Sequence, residues 1–307
     1  MTDGSDESSD NGLRKSLEGG YEWLADEPML HEPILVVMLT GWIDAAGAGA
    51  AAADALSSEC ETSPILRFDD DTFIDYRARR PTMELRDGLN TDLVWASIEL
   101  RAGRSPSGRD VLLLTGPEPD MAWRRFARAM ADISEELGVT QMVAFGAYPF
   151  AAPHTRSARL SCSSPSTEVL ANVTFARSSV DVPAGMAAAL EHALHARKIP
   201  TLGLWVQVPH YVAAMPYPAS SVALLDGFAE VTGITLAAEG LRAEVEPQRQ
   251  RIDESISDNA ERESMLHQLE QIYDATIEDE VTPGPELEMQ SGDELADEIQ
   301  RFLRDQN

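Results

Sequence analysis

From Pro33 onward, apolar runs of strand length alternate with apolar stripes of helical period. Ile34-Leu-Val-Val-Met-Leu39 is unbroken, the pattern of a strand buried on both faces. An alanine-rich helix is expected over 45–57 and a short strand over 64–68. Val111-Leu-Leu-Leu114 centres another buried strand over 109–115. Phe126, Met130, Ile133 and Leu137 then recur at helical spacing. Pro119 suits a first helical position and Gly138 a stop, so this helix is expected over 119–137. A strand over 141–148, a helix over 183–197 with Met186, Leu190 and Leu194 on one stripe, a strand over 201–208 and a helix over 220–232 complete the series. Strands alternating with helices predict an α/β fold, a three-layer sandwich whose mostly parallel sheet is covered on both faces.

The alternation breaks twice. Residues 82–86 and 93–100 read as a β-hairpin around Asp87-Gly88, inserted in the core as an oligomerisation arm or an edge extension. After Thr235 the pattern is helical only. A helix over 236–257 carries Pro247 as a kink, and one over 260–278 places Leu266, Leu269, Ile272, Tyr273 and Ile277 on one face. A Pro-rich linker over 281–290 leads to a last helix over 291–304. Ser291 and Glu294 form its capping box, and Leu295, Ile299, Phe302 and Leu303 its stripe. These amphipathic helices either cover the core or form a lid or arm over a site. Residues 1–20 are polar and acidic, with too little apolar surface to fold, and Tyr21, Trp23 and Leu24 tack their end onto the core. The expected organisation is a disordered acidic tail over 1–24, an α/β core over 25–238 and a helical extension over 239–307.

Charge narrows the function classes. Over 307 residues, 52 acids against 24 bases give a net charge of -28. That excludes a sequence-independent grip on nucleic acid phosphates and argues against docking on anionic lipid. Residues 239–307 hold 20 acids and 6 bases, half of the excess, whereas 32–238 hold 24 and 16. The core arginines are therefore free to line an anion-binding cleft. Two cysteines, Cys60 and Cys162, are too few for a secreted disulfide framework. Met1–Asp10 is acidic rather than basic then apolar, and no apolar run reaches the roughly 18 residues of a spanning helix. A cytoplasmic protein that binds neither membrane nor nucleic acid is expected.

The candidate chemistry lies in turns. Gly47-Ala-Gly-Ala-Ala-Ala52 matches a dinucleotide fingerprint, with Asp69 further on, but six residues separate it from the strand end. A small-residue helix packed on the sheet explains it better. No nucleophile elbow, phosphate loop or zinc spacing occurs; His192 and His195 read as surface histidines, and no cofactor or metal is expected. Asp69-Asp-Asp71, Asp75 and the arginines up to Pro81 read as a salt-bridged loop or subunit contact. Topology argues better, because open α/β sheets bind ligands beyond the carboxyl ends of their strands. Turns there carry Trp42, Asp44, Glu118, His154, Arg156 and His210. Converging, they would hold a small polar or anionic ligand, with Arg156 and the histidines as donors.

The same turns carry a resemblance. Thr40-Gly-Trp-Ile-Asp-Ala-Ala-Gly47, Phe68-Asp-Asp-Asp, Asp75-Tyr-Arg-Ala-Arg-Arg-Pro81, Thr115-Gly-Pro-Glu-Pro119 with Trp123, Pro153-His-Thr-Arg156 and Val208-Pro-His-Tyr-Val212 resemble the proteasome assembly chaperone 2 family, above all its actinobacterial branch. The resemblance implies a core similar to purine nucleoside phosphorylases and peptidyl-tRNA hydrolases. It also implies homo-oligomers with trimers favoured, a hairpin serving assembly, and C-terminal helices over a ligand cleft. Proteasome-binding relatives often end in a hydrophobic-Tyr-any-residue tail. Here the end is Leu303-Arg-Asp-Gln-Asn307, so docking by that route is not expected. Two readings follow. One is a non-catalytic assembly or interaction protein with itself and a further protein as partners. The other is a ligand-binding protein or enzyme of phosphorylase-like fold.

Overall fold

The computed structural model describes residues 20–24 and 28–281. Its strands in chain order are β1 (Tyr21–Trp23), β2 (Ile34–Thr40), β3 (Ser63–Phe68), β4 (Thr82–Arg86), β5 (Leu89–Val94), β6 (Glu99–Arg104), β7 (Asp110–Pro117), β8 (Gln141–Phe150), β9 (Leu160–Ser163) and β10 (Thr201–Pro209). The helices are α1 (Ala48–Glu59), α2 (Asp70–Phe73), α3 (Trp123–Glu136), α4 (Thr167–Ala171), α5 (Met186–His195), α6 (Pro218–Thr232), α7 (Glu239–Ser257) and α8 (Ala260–Val281).

Eight strands form one sheet in the order β1-β3-β6-β7-β2-β8-β10-β9. The central four, β7, β2, β8 and β10, pair in parallel. β6, β3 and β1 add antiparallel on one flank and β9 on the other. β3 opposes β6, which opposes β7, so five of the eight strands run the same way. The unbroken apolar runs occupy the centre, where both faces are covered. Ile34, Val36, Val111 and Leu113 enter one layer with α1, α6 and α7. Leu35, Val37, Leu112 and Leu114 enter the other with α3 and α5. There Phe126 meets Phe68 and Phe73 at ring-centroid distances of 4.3 and 5.2 Å.

Where the pattern misplaces an element, a local contact explains it. The helix expected from Pro119 starts at Trp123. Asp120 is tied to the preceding loop, its N–H donating to Phe73 O and its carboxylate accepting from Arg79, and Ala122 turns the chain at φ +54. The hairpin's second strand is 89–94 rather than 93–100. Asp87 and Gly88 both take positive φ, so the turn has two residues and the return strand starts at once. Residues 99–104 instead form β6 of the main sheet. Gly116 is demanded at the end of β7, because a Cβ there would lie 2.3 Å from Ser97 O and φ is +122. The end of the expected tail is edge strand β1, while the tail proper, the linker after Val281 and the helix expected over 291–304 lie outside the described residues. Among the described residues, no helix is long and apolar enough to cross a membrane.

Candidate functional site

Parallel strands bring their carboxyl ends to one edge, and all six predicted residues lie on turns there. The structure sorts them into two groups. In the first, Trp42 and Glu118 meet across Gly185, where a Cβ would lie 2.9 Å from the Trp42 indole and 3.3 Å from Glu118 Oε1. Glu118 is buried, and its carboxylate accepts from the N–H of Met186, the first residue of α5. Asp44 does the same for α1, accepting from Gly49 N–H at 2.7 Å and Ala50 N–H at 3.1 Å. Burial raises the pKa of Asp44, and those two bonds work against the rise.

These contacts decide what the edge can bind. A helix N-terminus favours anions, because its first N–H groups are unpaired and the helix dipole is positive there. At α1 and α5 that place is filled by a carboxylate of the chain itself. Glu59 repeats the device before α7, accepting from the N–H groups of Ala237 and Ala238 at 2.8 and 2.5 Å. A pyrophosphate at the glycine motif would have to displace Asp44. Gly47 serves instead as the left-handed turn that opens α1, at φ +63.

The second group faces the C-terminal helices. The loop after β8 carries His154, Thr155 and Arg156 beneath α7 and α8. His154 is buried, with its backbone N–H donating to Tyr211 Oη at 2.7 Å. Its Nδ1 lies 2.7 Å from the same hydroxyl, and Nε2 lies 2.8 Å from Asp253 Oδ1 on α7. One assignment satisfies all three bonds: Tyr211 O–H donates to Nδ1, and Nε2–H donates to Asp253. Arg156 grips α8 with a fork, Nε to Asp274 Oδ1 at 2.9 Å and Nη2 to Asp274 Oδ2 at 2.8 Å. Its Nη1 reaches Glu270 Oε1 at 3.3 Å, and Thr155 Oγ1 donates to the same oxygen at 2.5 Å. The Arg156 bond holds the Asp274 carboxyl below its ordinary range, and the Thr155 bond leads in doing so for Glu270. Tyr273 closes the clasp by donating to Ser157 O at 3.0 Å. His210 lies beside it, its ring edge-on to Tyr211 with centroids 5.3 Å apart.

Asp253, His154 and Tyr211 form a chain like an acid–base relay, but the phenol is not activated. Burial pushes its pKa up, and its oxygen already accepts a backbone N–H. A nucleophile needs the reverse. Burial also pushes the Cys60 thiol up to about 11. Among the described residues, no three His, Cys, Asp or Glu side chains gather as a metal site. Asp253, Glu270 and Asp274 were not singled out by sequence reasoning, while Tyr211 stood only in the Val208–Val212 motif and Tyr273 only on a helix stripe. The signal for Glu270 and Asp274 was their four-residue spacing on a helix.

The class these features define is a three-layer α/β protein whose carboxyl edge is capped by its own carboxylates and clasped by a C-terminal helical hairpin. The PAC2 family profile matches residues 38–256, and the chain belongs to that family. It is similar to a Corynebacterium glutamicum protein of unknown function, with 30% identity over 85% of this chain and 98% of that one, at a TM-score of 0.79. A Mycobacterium tuberculosis protein of unknown function gives 33% identity over 85% of this chain and 92% of that one, at 0.77. A proteasome-assembly chaperone homologue of the same organism gives 29% over 76% and 99%, at 0.70. No curated protein matches.

Proposed function

We propose that this protein is a non-catalytic, homo-oligomeric assembly or interaction protein, with a trimer as the favoured assembly. The observation that carries the reading is the use of the edge's polar groups within the chain. Asp44 and Glu118 cap helices, and His154 and Arg156 hold α7 and α8. Apolar groups face outward instead. Trp42, Ile43, Met121 and Phe150 are exposed at the same edge, and Met83, Leu85, Leu89, Leu93, Val94 and Trp95 are exposed on or beside the hairpin. The hairpin is a separate two-stranded sheet, and such a ribbon is marginal in water without a partner. The likeness to a proteasome-assembly chaperone homologue supports the same reading.

The test is Leu85→Asp with Leu89→Asp, with molar mass read by light scattering. Both side chains are exposed, so the core is untouched. The expected result is a fall from oligomer to monomer with an unchanged far-UV spectrum. An unchanged oligomer would remove the hairpin from assembly, and a monomeric parent protein would overturn the reading. The alternative, a small polar ligand held by Arg156, His154 and His210, requires α7 and α8 to leave the clasp.

A further inference from the structure

Helices α3 and α5 lie side by side on the face opposite α7 and leave a groove of about 520 Å³ between them. Ala127, Ala131, Ala189 and Ala193 make its floor, and Trp123 lies at the end nearest the carboxyl edge. Arg124, Arg128 and Arg197 make its rim. Arg197 is paired with Asp132 and Glu135. Arg124 and Arg128 are exposed, and neither guanidinium has an ion pair or hydrogen bond among the described residues. An apolar floor under a cationic rim is unusual on a chain of net charge -28. It fits an acidic amphipathic helix, with large apolar side chains set among the alanines and carboxylates against the arginines.

The chain itself contains such a segment. Residues 282–307 hold 7 acids and 2 bases, and the stripe Leu295, Ile299, Phe302 and Leu303 has helical spacing. As a helix, Leu295 to Leu303 would span about 12 Å, the same as Trp123 to Ala131 along the groove. Glu294 and Glu298 flank the stripe four residues apart, as Arg124 and Arg128 are on α3. Arg156 and Asp274 tie α8 to the carboxyl edge, which is also where α3 begins. Residues 281 to 291 can cover up to about 35 Å when extended.

We propose that residues 291–304 dock as a helix in the α3–α5 groove of the same molecule, with Glu294 and Glu298 paired to Arg124 and Arg128. The proposal does not rest on the assembly reading. Amide hydrogen exchange of the full chain tests it, comparing the parent protein, R124E/R128E, and R124E/R128E with E294R/E298R. The expected result is exchange over 291–304 that is at least about tenfold slower in the parent than in R124E/R128E. Protection returns in the charge-swapped protein and is unchanged on dilution. Equal exchange in the parent and R124E/R128E overturns the proposal, as does failure of the swap to restore protection. Protection lost on dilution overturns it in favour of a second copy in the groove. Both arginines are exposed, and an unchanged far-UV spectrum confirms that the variants fold.

Discussion

Glu191 on α5 is buried against Ser163, 3.4 Å from its hydroxyl, and against Gly203, where a Cβ would lie 2.6 Å from the carboxylate. No cation pairs with it among the described residues, and burial raises its pKa from 4.5 to about 7. Between those values the folded protein binds more protons than the unfolded chain. Stability therefore falls as pH rises through this window and stays reduced above it. Glu191→Gln should remove that loss, stabilising the protein at about pH 8 by up to about 3 kcal/mol and changing little near pH 4. Urea midpoints of both proteins at the two pH values check this. Burial raises the pKa of Asp44 in the same direction, but unlike Glu191 its carboxylate is bonded to Gly49 and Ala50 N–H and caps α1. Asp44→Ala should cost about 1–2 kcal/mol through loss of the α1 cap, and Asp44→Asn less. Urea midpoints at neutral pH decide it. The turn residues were legible in the sequence because parallel strands must deliver their ends to one edge. Their partners were not, since Asp253 lies 99 residues from His154 and Asp274 lies 118 from Arg156. No local pattern encodes such a pairing.

The hairpin and the α7–α8 pair are the elements on which the proposed function rests. Buried Ile252, Ile256, Leu269 and Tyr273 set α7 and α8 on the core, and the Arg156 clasp fixes their register. Arg156→Ala should speed amide exchange in α8 over 260–275 while leaving β2 and β8 unchanged. Exchange mapped by mass spectrometry reads both at once, and uniform acceleration would mean that the clasp supports the whole fold. Glu270 and Asp274 titrate below their ordinary 4.5 and 3.8, so the clasp is intact above those values and loosens only as pH falls through the lowered ones. Apolar runs and stripes made the central strands and the long helices readable. β9 and β6 were missed because Leu160–Ser163 is short and half polar, and Glu99–Arg104 carries charges at both ends. Flanking strands of this kind are specified by the neighbour that pairs with them, Gly203–Val206 for β9 and Asp110–Thr115 for β6.

At the scale of the molecule, the chain carries a net charge of -28 and its own carboxylates fill the N-termini of α1 and α5 at the carboxyl edge. Such a surface repels free anions and leaves apolar and arginine-rimmed patches as the places where another surface can settle. The α/β class and its resemblance were visible in the turns, since the family's motifs coincide with the strand ends. The clasp was not, because it joins the two parts that the sequence treats separately. On the proposed function, this edge is structural and the protein works by association. A native mass spectrum of the full chain, purified without denaturation, tests it most directly. The expected result is a homo-oligomer, with a trimer favoured, whose mass equals a whole number of bare chains. A monomer, or a stoichiometric small-molecule adduct lost on Arg156→Ala, would contradict it.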